Sequence, residues 1–285
     1  MTMPTARRLP PRRTHSASTP TTLPLLVTPG ERHPAHPAPP RQAWVEQIMG
    51  MPVSIHLRGG DVSGPAARDA VAEAFATMRR MDRIFSTWVS DSDIMRLRRE
   101  ELTLAECDPL VRESVALGEL ATRLTGGAFT TLLPTGEGAL AFDPTGLVKG
   151  WAVDLAAASL RDLPGTSYCV NAGGDLLVGA HDDLPDSGPG AIGWRVGIED
   201  PHNTSAVARS VTLTRGAVAT SGTAARGAHL YDPVAARMVG RPGSVTVTGP
   251  TLLWADVWAT ALFVGDDGTR EAFAANAPDY LSTEL

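Results

Sequence analysis

Cysteine, lysine and aromatic residues are all scarce in this chain of 285 residues. Two cysteines, Cys107 and Cys169, are too few for a disulfide framework or a structural zinc site, so each reads as a small buried hydrophobe. No run of about 18 apolar residues occurs, so no transmembrane helix is expected. Basic charge is also short. A net charge of −6 speaks against a nucleic-acid binder, which carries a basic face. What is abundant is glycine and proline, 28 and 23 residues, beside only 5% aromatics, a balance that favours many turns. With 43% hydrophobic and 20% charged residues the chain still has the composition of a folded protein.

Charge and proline are unevenly spread. Residues 1–42 hold ten Pro and six Arg against one acid, Glu31. Such a segment cannot bury enough apolar surface to offset its ordering entropy and is expected to be a disordered tail, leaving 43–285 as the folded domain. Its Arg pairs resemble a twin-Arg export signal only superficially. The apolar stretch that follows, Leu23–Val27, is short and broken by Pro24. With no cysteine in the tail to anchor a lipid, a cytoplasmic location is expected.

Val53, Ile55 and Leu57 alternate with polar residues and predict a strand. Pro65 opens a helix to about Arg83, a second helix starts near Asp91, and Asp108-Pro109 starts a third that ends at Gly126-Gly127. A further helix is expected over Val148–Leu160, with Trp151, Leu155 and Ala158 on one face. Short strands follow at Tyr168–Asn171, Asp175–Val178, Trp194–Ile198, Ser210–Thr214, Ala217–Thr220 and Ser244–Thr248. Helices over Leu252–Val264 and Thr269–Ala275 come last. This order predicts an α+β fold.

Four segments exceed what ordinary loops need. In Asp143–Trp151 the only Lys of the chain, Lys149, sits in a helix's first turn, against the helix dipole. The segment is either a capped helix start or a phosphate site. Asn171-Ala172-Gly173-Gly174-Asp175 is either a hairpin turn or a loop whose N–H groups meet a ligand. Ala219–Pro233 gathers hydroxyl residues with Arg226, able to fork onto phosphate, and His229, able to move a proton near neutral pH. The alternative is a hairpin with a satisfied histidine. Asp256 and Thr260, at i and i+4 of an apolar helix, either contact each other or offer oxygen to a hard cation such as Mg²⁺.

In this order, the segments resemble the ApbE-type FAD:protein FMN transferases. Further matching stretches are Met49-Gly50-Met51, Phe85-Ser86-Thr87-Trp88, Asp91–Ile94, Gly126–Phe129 and Trp194–Gly197. The resemblance covers about residues 44–275. It implies a T-fold-like α+β architecture with two related halves, FAD as substrate, and a requirement for Mg²⁺. It implies transfer of the FMN moiety to a Thr or Ser hydroxyl of a target flavoprotein, with release of AMP. FAD hydrolysis to FMN and AMP, or FAD binding without catalysis, are the alternatives.

The resemblance carries roles onto matching residues. Met49, Trp88, Ala128, Phe129, Thr130, Asp143, Lys149, Arg226 and Leu230 would contact FAD. Asn171, Gly173 and Gly174 would form a pocket wall. The Gly146 carbonyl, Asp256 and Thr260 would bind Mg²⁺, and His229 or Asp175 would take the acceptor's proton. The chain departs from the family pattern at Thr130, often Asp, and over Met95–Arg98, often Ser-x-x-Asn. Gly146 replaces Ala, Thr or Ser, which matters little to a backbone ligand.

Overall fold

The computed structural model describes residues 38–135, 139–223 and 230–285. Most of the expected tail lies outside the described residues, but its last five residues do not. Arg41 and Gln42 begin strand β1 (Arg41–Ile48), so order starts earlier than composition suggested. A tight turn with positive φ at Met49 and Gly50 leads into β2 (Met51–Gly59). The β2 side chains Val53, Ile55 and Leu57 are fully buried, as their alternation predicts.

Three helices follow: α1 (Pro65–Phe85), α2 (Asp93–Arg98) and α3 (Pro109–Leu124). Their starts are written in the sequence. Pro65 and Pro109 fill first-turn positions, and the Asp108 side chain accepts the Leu110 N–H at 3.0 Å. A short hairpin, β3 (Leu132–Pro134) with β4 (Leu140–Phe142), precedes α4 (Thr145–Ala156) and α5 (Ala158–Arg161). Here one expectation fails. The helix is split at Ala157, and Leu155 and Ala158 are exposed. The buried side instead carries Leu147, Val148, Trp151 and Ala152, because α4 is covered by neighbouring helices on more than one side.

Strands β5 (Thr166–Ala172) and β6 (Asp175–Ala180) form a hairpin across Gly173-Gly174. A second hairpin, β7 (Trp194–Asp200) with β8 (Asn203–Leu213), stands outside the main sheet. Then come β9 (Gly216–Gly222), the small pair β10 (Leu230–Asp232) and β11 (Arg237–Val239), and β12 (Ser244–Gly249). Helices α6 (Leu252–Val264) and α7 (Asp267–Asn276) and strand β13 (Leu281–Glu284) complete the chain.

The main sheet has seven strands in the order β1-β2-β5-β6-β9-β12-β13, antiparallel throughout. Two halves follow one plan. β2 leaves into helices and the chain returns beside it as β5; β12 leaves into α6 and α7 and the chain returns beside it as β13. Helix α4 packs against both α1 and α6, and α6 lies on β9 and β12. On the opposite face, Trp194 of β7 packs on Cys169 and Val178 and donates its indole N–H to Ser167 at 2.7 Å. Arg58 stacks over the same indole at 3.8 Å.

Candidate active site

Helix α6 is apolar almost all round and buried nearly throughout, yet it carries Asp256, which is 5% exposed. A carboxylate in such a setting needs a counter-charge. Lys149 supplies it from α4. Its ammonium Nζ lies 3.4 Å from the Asp256 carboxylate and donates a short hydrogen bond to Asp175, the first residue of β6. Burial would pull the Lys149 pKa down, but the neighbouring Asp256 and Asp175 outweigh it and raise it above the ordinary lysine value. Asp175 is itself buried, and its second oxygen accepts the Thr220 N–H at 2.9 Å. One helical turn beyond Asp256, the Thr260 hydroxyl is hydrogen-bonded to Ser221 of β9 at 3.0 Å.

The start of α4 is held just as firmly. Asp143 accepts from the Thr145 N–H at 3.0 Å and from its hydroxyl at 2.5 Å. Its other oxygen pairs with Arg98 at 2.9 Å, and Arg98 also donates to the Phe142 carbonyl at 3.0 Å. The departure at Arg98 therefore clamps the strand–helix junction that precedes Gly146. Asp143 thus holds the Thr145 N–H from just before the helix, whose N-cap residue Pro144 makes no side-chain bond, and Lys149 turns toward carboxylates.

At Gly173-Gly174, with φ of +63° and +104°, the hairpin reading holds. The Gly174 N–H is given to the Asn171 side chain at 3.0 Å and the Gly173 N–H to Pro52 at 3.3 Å. These donors are used inside the protein, so the turn presents a wall. A Cβ on Gly173 would also stand 2.7 Å from the Met51 sulfur.

Lys149, Asp175, Asp256, Thr260, Asp143 and the Gly173-Gly174 turn border one cavity of about 1140 Å³, above the range of roughly 300–1,000 Å³ usual for small-molecule pockets. Its lining includes Met49, Trp88, Ala128, Phe129, Thr130, Asp143, Gly146, Lys149, Asn171, Gly173, Gly174, Asp175, Leu230, Asp256 and Thr260. Every candidate residue within the described part of the chain is thus brought to one place. Arg226 and His229 lie outside the described residues. Phe129 is buried under Gly146, whereas Trp88 stands 95% exposed at the rim. Met49 is held in its turn by Asp82, which accepts its N–H at 3.1 Å.

The cavity also has walls that sequence patterns did not single out, among them Asp82, Ile198 and Glu199. Asp82 bonds to Met49, 33 residues away, so no local spacing marks it. Cys169 borders the cavity too, but burial pushes its thiol up to about 12, which removes it as a nucleophile.

As for metal ligation, the described residues contain no cluster of three or more His, Cys, Asp or Glu side chains suited to a metal. Asp256 and Thr260, one turn apart on α6, and Gly146 all line the cavity and offer oxygen: a carboxylate, a hydroxyl and the main chain. That set fits a hard cation completed by water or phosphate oxygen.

The ApbE family model matches residues 49–137 and 132–282. Over 133 residues the chain is 32% identical to a FAD:protein FMN transferase of Vibrio cholerae, and over 146 residues 31% identical to one of Haemophilus influenzae. The aligned segments cover 43% and 47% of this chain, but only 38% and 40% of those relatives. The flavinyl transferase ApbE of Pseudomonas stutzeri, in its apo form, superposes with a TM-score of 0.66 over 87% of this chain and 95% of its own, at 24% identity. The Thermotoga maritima ApbE protein gives 0.66 at 20% identity, over 86% of this chain and 94% of its own. These two likenesses establish the fold. With the family model spanning nearly the whole described domain, the chain belongs to the ApbE family.

Proposed function

We propose that this protein transfers the FMN moiety of FAD to a Thr or Ser hydroxyl of a target flavoprotein, with Mg²⁺, and releases AMP. The observation that carries this reading is the Lys149–Asp175–Asp256 cluster, with the Thr260 hydroxyl beside it, facing a cavity large enough for a dinucleotide. The names of the partly matched relatives give the reading its substrate.

The acceptor oxygen forms a bond to the FMN phosphorus, the bond from that phosphorus to the bridging pyrophosphate oxygen breaks, and AMP leaves. Asp256, Thr260 and the Gly146 carbonyl would hold Mg²⁺. The cation would neutralise pyrophosphate oxygens. Lys149 adds fixed positive charge in a buried setting, where it acts strongly on developing negative charge. Asp175 has both oxygens engaged, by Lys149 and by the Thr220 N–H, and so orients the lysine. His229 or Asp175 would take the acceptor's proton. The Phe129 ring and the exposed Trp88 indole offer flat surfaces for the ring systems of FAD.

The test is mass spectrometry of an FMN-binding acceptor domain incubated with the protein, FAD and Mg²⁺. A covalent FMN adduct is expected, absent with EDTA and absent for Asp256→Ala. Release of FMN and AMP with no adduct would replace the transferase by a hydrolase. Intact FAD with several acceptors would leave a binding protein.

A further inference from the structure

Helices α4 and α6 carry the candidate metal ligands, and their seating rests on two residues of α4. Asp154, in the last turn of α4, accepts the Leu252 N–H with one oxygen at 2.9 Å and the Leu253 N–H with the other at 2.8 Å. These are the first two residues of α6, and the N-cap residue Thr251 makes no side-chain cap bond of its own. Its hydroxyl is turned to Tyr280 instead, at 2.9 Å. A carboxylate some hundred residues away therefore does the capping, and its charge also suits the positive end of the helix dipole. Burial pushes the Asp154 carboxyl above its usual range, and the two backbone N–H bonds pull it back.

Gly150 makes this approach possible. A Cβ there would stand 2.7 Å from the Leu252 carbonyl oxygen and 2.9 Å from the Leu253 Cα, backbone atoms that cannot swing aside. Gly150 and Asp154 are four residues apart and share one face of α4. The pairings run in opposite directions along the two helices. Asp154 meets Leu252, and Lys149, more than a turn earlier, meets Asp256, one turn later. Continued by about one turn, the same ladder would set Gly146 opposite Thr260, and both line the cavity.

We propose that Asp154, seated through Gly150, is a positioning residue that fixes the register of α6 on α4. It thereby sets the reach between the Gly146 carbonyl and the Asp256 and Thr260 oxygens. The metal part of this inference rests on the proposed Mg²⁺ site, and the register part does not.

Two measurements test it. The first is a double-mutant cycle of Asp154→Ala with Ser221→Ala, read by urea unfolding in EDTA. Ser221→Ala removes the bond to Thr260 and should lower the folding equilibrium constant about fivefold in the otherwise native chain. In the Asp154→Ala background, with the register loosened, the same change should cost less than about twofold. Additive losses would overturn the register role. If Asp154→Ala does not fold, Asp154→Asn, which keeps one acceptor oxygen, takes its place. The second is Mn²⁺ titration by calorimetry. Affinity should fall about tenfold or more in Asp154→Ala, as when an outer-shell partner of a metal site is lost. Equal affinity in a less stable variant would make Asp154 a structural cap and overturn the positioning role. A wild-type chain that takes up no Mn²⁺ would remove the metal reading, while the cycle still decides the register.

Discussion

Lys149 joins two acidic side chains from different elements, Asp175 of β6 and Asp256 of α6. In Lys149→Met those carboxylates lose the cation between them while remaining buried. Removing one member of a buried ion cluster costs about 3–5 kcal/mol. That loss is expected in urea unfolding with EDTA, and it should shrink when Mg²⁺ supplies positive charge at the same carboxylates. Equal losses with and without Mg²⁺ would separate the lysine from the proposed metal. His56 makes a second case at this scale. Burial first, and the nearby Arg58 second, lower its pKa below the ordinary 6.5. Between that lowered value and 6.5 the unfolded chain binds the proton and the folded chain does not. Stability is therefore complete above about pH 6.5 and falls as pH drops toward the folded pKa. His56→Gln should flatten this acid limb in pH-dependent unfolding; an unchanged slope would show that other groups set it.

At the scale of elements, the β7–β8 hairpin is tied to the sheet through Trp194. The indole packs on Cys169 and Val178, donates to Ser167 and lies under Arg58. Trp194→Ala should cost about 3–5 kcal/mol, as large-to-small changes of aromatic core residues do. Hydrogen exchange should then rise first in β7 and β8 while α6 stays protected; uniform loss of protection would mean the hairpin does not open on its own. Which elements were legible from sequence follows from the same physics. Helix α6 is read with its observed bounds because its apolar run is long and sharply ended. Helix α3 is read from Asp108-Pro109. Strands β1 and β13 escape notice because they are the sheet's two edges, mostly exposed, with no clean alternation to mark them. Asn203–Arg209 of β8 is missed too, because that stretch is exposed almost throughout. Leu155 was expected inside because it follows Trp151 by one turn, yet it is 38% exposed. The candidate site was legible where a loop concentrates unusual residues, as at Lys149 or Gly173-Gly174. The bonds of Asp154 to α6, Asp82 to Met49 and Ser221 to Thr260 were not, since each joins residues 33 or more positions apart.

For the whole molecule, the cavity draws its walls from both halves of the sheet: Met49 and Asn171 from one, Thr220 and Asp256 from the other. A ligand filling it bridges elements that otherwise meet through the α4–α6 and β6–β9 contacts. Ligand binding confined to the folded state adds stability by mass action, about 2.7 kcal/mol at one hundred times the dissociation constant. FAD with Mg²⁺ should therefore raise the unfolding temperature of the full chain, and FAD with EDTA should raise it less if the cation joins the ligand to Asp256 and Thr260. Hydrogen exchange measured in parallel should slow at the β1–β2 turn and along α6 together. Slowing confined to one half would mean that the cavity holds two independent pockets, and the dinucleotide would then be the wrong ligand.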